Sequence, residues 1–177
     1  MNKWAKKVTT DMRPRASRSL NRLYELAGEE WKRGELATAF RLFLLVAEAG
    51  VKPAFPVVAD FYYSGDGTAR DEKAALYWYR RAVRELGDSA AANNIGCILR
   101  DRREIGKALW WLRRAVRMGD NWAHLNLAKI HLTMRDGRPH AIRHLQLLLA
   151  ARSTTLGSRE EATRLMRKLQ ATKSTNR

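Results

Sequence analysis

The chain has 177 residues, of which 45% are hydrophobic and 29% charged, and its formal net charge is +16. This length and apolar content support one folded domain with a sizeable core. The longest apolar stretch, residues 40–49, is interrupted by Arg41 and Glu48 and is much shorter than the roughly 20 residues of a membrane span. Composition therefore excludes a transmembrane helix.

The N-terminal residues are basic but lack the apolar run of a secretory signal, and a transit peptide is a weaker alternative. We therefore expect a cytoplasmic protein. Cys97 is the single cysteine of the chain, so an intrachain disulfide is excluded. A lone thiol within an apolar helical pattern is expected to pack as a small hydrophobe.

Positive charge is unevenly distributed along the chain. Residues 1–18 and residues 152–177 each carry a net +5, residues 19–88 carry −1, and residues 89–151 carry +7. We predict a basic, disordered N-terminal arm over residues 1–18, a folded domain over residues 19–171, and a disordered tail over residues 172–177.

An internal repeat emerges when the sequence is compared with itself. Residues 78–84 (WYRRAVR) are nearly identical to residues 111–117 (WLRRAVR), at an offset of 33 residues. Alanines recur at the start of this pattern, at Ala39, Ala75, Ala108 and Ala141. Large or apolar residues follow three and seven positions later, which is the spacing of one helical stripe. Gly50, Gly87 and Gly119 are predicted to end the first three of these helices.

A second set of small residues precedes each stripe, at Ala27, Ala59, Gly96 and Ala128. They mark a partner helix in each repeat, because two helices that cross closely need small side chains at the crossing. Periods of 33 to 36 residues indicate a stacked array of helix pairs.

The second repeat resembles the Sel1-like branch of the tetratricopeptide superfamily. Residues that match the pattern A-x-x-Y-x-x-G-x-G-x-x-x-D-x-x-x-A-x-x-W-x-x-x-A are Ala59, Tyr62, Gly65, Gly67, Asp71, Ala75, Trp78 and Ala82. The first and third repeats lack the longer loop, and the fourth is degenerate. The resemblance implies an all-α fold, a right-handed alpha-alpha superhelix of about four repeats, at residues 20–50, 53–88, 89–120 and 121–151, followed by a capping helix at 158–171.

Catalytic and metal sites are not predicted. The loop at residues 64–72 lacks the ligand spacing of a calcium site and the ending of a phosphate-binding loop, so its glycines are assigned to a turn and Asp71 to a helix cap. His140 and His144 lie one helical turn apart, but nothing in the sequence completes a metal site with them or with His124 and His131. We expect no enzyme activity and no cofactor.

The first helices of related repeats line a concave groove, so the resemblance implies partner contacts there. The residues at the corresponding positions are Tyr24, Trp31, Lys32, Asp60, Tyr63, Asn93, Asn94, Arg100, Trp122 and Lys129. For Tyr24 and Trp122 a core position is an equal alternative. The arginines at 80, 81, 84, 113, 114 and 117 are predicted to form a solvated outer face, and the excess of arginine over lysine weakens any argument from net charge.

These observations predict a protein-binding adaptor whose groove grips a partner carrying acidic residues, through Arg100 and Lys129 among others. One special case is an immunity protein that neutralises a secreted bacterial toxin, since small Sel1-like proteins also serve that role. An alternative of another class is nucleic-acid binding through the basic arms and the basic third and fourth repeats.

Overall fold

The computed structural model describes residues 3–152 and 154–174, and the side chains of residues 18–152 and 154–171. All regular secondary structure in these ranges is helical, which confirms the predicted all-α class. The helices are α1 (Lys3–Arg33), α2 (Leu36–Glu48), α3 (Ala54–Ser64), α4 (Glu72–Leu86), α5 (Ser89–Asp101), α6 (Ile105–Arg117), α7 (Ala123–Leu132), α8 (Arg138–Ala150) and α9 (Leu156–Ser174). None of the helices in the described ranges is long and apolar enough to cross a membrane.

Contacts between helices divide the chain into two compact units, Met1–Leu86 (unit 1) and Gly87–Arg177 (unit 2). In unit 1, α1 packs on α2, α2 on α3, and α3 on α4. In unit 2, α5 packs on α6, α6 on α7, α7 on α8, and α8 on α9. Composition predicts one domain, and the division into two arises because each helix pair of a repeat array contacts mainly its neighbours along the chain.

Small residues lie fully buried at the predicted helix crossings. The seven alanines predicted as crossing residues each have 0% of their surface exposed: Ala27, Ala39, Ala59, Ala75, Ala108, Ala128 and Ala141. The burial confirms the helical stripes found by self-comparison. The eighth crossing residue, Gly96, is also buried.

Helix α6 packs closely against Gly96 of α5. A Cβ atom added there would lie 2.6 Å from Cγ of Leu112, whose side chain is fully buried. Because the leucine has no open space to move into, only glycine fits at this crossing without displacing a neighbour.

The ends of the helices follow the sequence signals. Gly50, Gly87 and Gly119 adopt φ values of 91°, 66° and 97° just after α2, α4 and α6, as predicted. Asp71 caps α4, where its Oδ1 accepts hydrogen bonds from the backbone amides of Lys73 (2.8 Å) and Ala74 (3.0 Å).

The longer loop of the second repeat is held by backbone contact. Gly65 ends α3 in the left-handed conformation, with φ of 82°. Gly67 has φ of 68°, and a Cβ atom there would lie 2.4 Å from the backbone carbon of Leu36, at the start of α2. The second glycine is therefore required both by its own conformation and by the closeness of a neighbouring chain segment.

The two chain ends differ from the sequence prediction of disorder. Helix α1 continues back through the predicted arm to Lys3, where no apolar periodicity signals a helix. Helix α9 begins at Leu156 and runs to Ser174, so the predicted tail overlaps its last turn, and residues 175–177 lie outside the described ranges. Ala162 of α9 is fully buried against Leu125, Leu145 and Leu148, so this helix covers the apolar face left by α7 and α8.

Replacing Gly96 with alanine is expected to lower the free energy of unfolding by about 1–3 kcal/mol, because the new methyl group overpacks the contact with Leu112. Gly106→Ala in α6 is the matched control, since nothing lies within 4 Å of a Cβ atom at that position. The control should be neutral or stabilise by about 0.5–1 kcal/mol through helix propensity. The free energy of unfolding of both variants is measured by urea denaturation followed by circular dichroism. Equal stability of the two variants would contradict the close packing of Gly96 against Leu112.

Candidate functional site

Three of the predicted partner-contact residues line one groove in unit 1. Tyr24, Trp31 and Lys32 all lie on α1, and the groove beside them has a volume of about 690 Å³. Phe43 of α2 and Val57 of α3 supply the remaining apolar lining. We refer to this site as the unit 1 groove. Its size falls within the range of sites that hold a compact ligand or a short peptide segment.

Aromatic contacts fix the position of Trp31 while leaving much of its ring open. The ring centroid lies 6.3 Å from that of Phe43 and 6.1 Å from that of Phe61, and 52% of the residue surface is exposed. Tyr24 packs edge-on against Phe43 at 5.4 Å and is half-buried, so it contributes both to the core and to the groove. A ring that is already ordered loses little conformational entropy when a partner covers it.

Carboxylates surround this exposed tryptophan. Glu25 and Glu29 line the groove itself, and Asp60 and Asp66 line a small adjoining hollow that also contains Trp31. The Tyr79 hydroxyl donates a hydrogen bond to Asp60, which orients that carboxylate. Lys32 is the one basic residue lining either of these two spaces in the described part of the chain. The groove thus combines an apolar floor with an acidic rim.

Tyr63, the other predicted contact in unit 1, has a different environment. The Arg70 guanidinium lies over its ring, 5.2 Å from the centroid. Tyr63 is not part of the lining of the unit 1 groove, and the Arg70 guanidinium covers one face of its ring.

In unit 2, two of the predicted contacts, Asn93 and Arg100, join a polar network between α5 and α7. Asn126 Nδ2 donates to Oδ1 of the buried Asn93 at 2.9 Å, and Arg100 Nη1 donates to Asn126 Oδ1 at 3.3 Å. Arg100 also pairs with Asp101 at 2.9 Å. Asn126 was not among the predicted contacts, although it lies 33 residues after Asn93, which is the repeat offset that relates residues 78–84 to 111–117. Buried amides need hydrogen-bond partners, and here the two asparagines supply one to each other.

Lys129 and Trp122 fall outside this network, and Asn94, half-buried on α5, is adjacent to it. Lys129 Nζ lies 3.0 Å from Glu161 Oε1, so it links α7 to α9. Trp122 is 50% exposed at the start of α7, and its backbone amide donates to Asp120 Oδ1 at 2.8 Å. Trp122 is the one aromatic residue among the predicted contacts in unit 2, and half of its surface is exposed.

All four histidines gather between α7 and α8. The Nδ1 atoms of His124 and His144 are 3.0 Å apart, the His131 ring stacks on His144 with centroids 5.5 Å apart, and the His140 and His131 centroids are 5.1 Å apart. The pair predicted to have metal-compatible spacing was His140 and His144, but the ring nitrogens in contact are those of His124 and His144. Within the described residues, no group of three or more potential ligands is arranged to hold a metal ion.

Burial lowers the pKa of three of these histidines, His124, His131 and His144, so their rings are neutral at pH 7. Burial, with His124, His131, Arg113 and Arg143, lowers the pKa of His144 to about 4. Burial also lowers the pKa of His124 and His131. In the same unit, burial raises the pKa of Cys97, which fits the predicted packing role rather than a reactive thiolate.

The fold and the groove together define a helical-repeat protein with a surface suited to a partner. The family follows from a direct match, since residues 58–85 and 89–120 fit the model of the Sel1 repeat. The chain therefore carries Sel1 repeats over these residues, as the resemblance of its second repeat predicts. Proteins of curated function give no match to the sequence.

Solved structures share the fold at low sequence identity. A Sel1 repeat protein from Oxalobacter formigenes has a TM-score of 0.60 and 19% identity over 80% of this chain and 62% of its own. The protective antigen c5321 from uropathogenic Escherichia coli, which displays an SLR fold, has a TM-score of 0.64 and 21% identity over 86% of this chain and 38% of its own. This chain thus spans less than two thirds of either protein, and the likeness concerns the fold alone.

Acidification is expected to destabilise unit 2 through His144. As the pH falls below about 6.5 the unfolded chain binds a proton at this histidine, but the folded chain binds it only near pH 4. Stability is therefore lost progressively between these values. The melting temperature, followed by circular dichroism between about pH 7 and pH 5, should fall less steeply in His144→Gln than in the unchanged protein. An identical slope in both proteins would show that the histidine cluster does not titrate as described.

Proposed function

We propose that this protein is a non-enzymatic adaptor that binds a segment of a partner protein in the unit 1 groove. The single observation that carries this proposal is the ordered, half-exposed ring of Trp31 beside a groove of about 690 Å³ with an apolar floor. The Sel1 repeat supports it, because proteins built from helix-pair repeats present extended binding surfaces.

Charge indicates the chemistry of the segment that would occupy the unit 1 groove. Glu25, Glu29, Asp60 and Asp66 surround an apolar floor, and Lys32 opposes them. A partner segment that places an aliphatic or aromatic side chain on Trp31 and lysines or arginines at the rim would complement this surface. The exposed position of the rim makes these charges contribute to association rate and selectivity more than to affinity.

An acidic partner segment, as predicted from the sequence, would bind in unit 2 instead. Arg100 and Lys129 already pair with Asp101 and Glu161, so an acidic ligand would have to exchange with these carboxylates. Such an exchange gains little net energy for partly exposed ion pairs. The unit 1 groove is therefore our preferred binding site.

The test compares two tryptophans of nearly equal exposure. Trp31→Ala removes the aromatic ring of the unit 1 groove, and Trp122→Ala removes one that is 50% exposed in unit 2. The partner is first identified by affinity purification from the native cell and mass spectrometry, then purified for titration calorimetry. Trp31→Ala should weaken its binding by about 30-fold or more, as expected for a central aromatic anchor, while Trp122→Ala changes it little.

Charge reversal distinguishes the contribution of the acidic rim to binding from that of the apolar floor. Glu25→Lys combined with Glu29→Lys should slow association and reduce its dependence on salt, with a smaller effect on dissociation. Thermal melts establish that each variant is folded. Loss of binding in Trp122→Ala with retention in Trp31→Ala would contradict the assignment to the unit 1 groove.

A further inference from the structure

Two second helices of neighbouring repeats, α4 and α6, carry the same outward pattern of an aromatic residue followed by arginines. At the offset of 33 residues, Tyr77 corresponds to Trp110. Both rings are half exposed, at 53% and 51%. Three arginines of α4 also have an arginine at the same offset in α6. They correspond as Arg80 to Arg113, Arg81 to Arg114, and Arg84 to Arg117.

The two helices differ in whether a carboxylate neutralises these arginines. In α4, Glu85 Oε1 lies 3.1 Å from Arg81 Nε and 3.0 Å from Arg84 Nη2, and these two arginines lower the pKa of Glu85. The position that corresponds to Glu85 after α6 is Met118. Among the described residues, no carboxylate lies within ion-pair distance of the arginines at 113, 114 and 117.

An ordered aromatic surface lies among these uncompensated charges. The Arg114 guanidinium is 5.5 Å from the Trp110 centroid and 5.3 Å from the Trp111 centroid, and the two indole rings meet edge to face at 4.9 Å. These contacts hold Trp110 in place while half of it stays open to solvent. We call Trp110, Arg113, Arg114 and Arg117 the α6 basic face.

We propose that the α6 basic face binds single-stranded nucleic acid, with a base stacked on Trp110 and phosphates paired with Arg113 and Arg117. An exposed indole beside cations is the combination that recognises an unpaired base together with its backbone. Arg113 and Arg117 lie three and seven residues beyond Trp110, so all three project from one side of the helix. This activity is separate from partner binding in the unit 1 groove and involves none of the same residues.

A membrane surface fits the same face less well. A helix that lies in a lipid interface needs a continuous apolar stripe. The exposed positions of α6 are Gly106, Lys107, Trp110, Arg113 and Arg117, among which Trp110 is the one large apolar side chain. A purely acidic peptide would pair with the arginines but leave the aromatic surface unused.

Binding is measured with the full chain and a fluorescein-labelled oligothymidylate of about 16 nucleotides, by fluorescence anisotropy at about 50 and 200 mM NaCl. We expect binding that weakens steeply with salt. Trp110→Ala should raise Kd by about five-fold or more. Arg113→Gln combined with Arg117→Gln should raise Kd and lower the salt slope by about 1.4, as expected for two lost phosphate contacts on a single strand.

Matched variants distinguish the α6 basic face from the basic chain ends. Tyr77→Ala, at the corresponding position of α4, should leave Kd unchanged. Met118→Glu supplies the carboxylate that α4 has at Glu85 and should weaken binding, while Arg113→Lys with Arg117→Lys should keep the salt slope. Circular dichroism and thermal melts establish that each variant is folded.

Four results would overturn the proposal. The first is the absence of salt-dependent binding by the unchanged protein. The second is binding that survives both Trp110→Ala and the double arginine substitution, which assigns it to other basic residues. The third is displacement by polyglutamate as effective as by unlabelled oligothymidylate. The fourth is binding to phosphatidylglycerol vesicles that depends on Trp110 when oligonucleotide binding does not.

Discussion

The close crossing of helices within each pair is the constraint on which the rest of the structure depends. At Gly96 the two helices approach until Leu112 would contact any added carbon, and the crossing alanines elsewhere have no exposed surface. Such crossings give each pair a fixed geometry before larger side chains pack around it. The surfaces that we assign to binding are therefore carried on rigid helices rather than on loops, which favours preorganised contacts.

The fold could be predicted from the sequence because its signals are local. Small residues at helical spacing, glycines after helices and Asp71 as a cap each act within a few residues, so the order of residues reveals them. Helix α1 is the exception. Its extension to Lys3 crosses a segment with strongly basic composition and no apolar stripe, so neither composition nor periodicity indicated a helix there.

The residues of the candidate site could be predicted only where they lie on one helix. Tyr24, Trp31 and Lys32 share α1, and the structure brings them to one groove. Arg100 and Lys129 also lie on first helices, but Asn126 and Glu161 come from other helices and contact them. Such pairings between distant residues depend on packing, and a single sequence does not reveal them. The histidine cluster of unit 2 arises in the same way, from residues on two helices that meet only in the folded chain.

The loop of the second repeat illustrates how a fold restricts its own variation. Gly67 touches the backbone of Leu36, not a side chain, so the contact does not depend on which residue occupies position 36. Residues 68–70 can consequently be exchanged for others without disturbing that contact, whereas an inserted or deleted residue would move the glycine away from it. We therefore expect changes of side chain at residues 68–70 to be tolerated better than changes in the length of this loop.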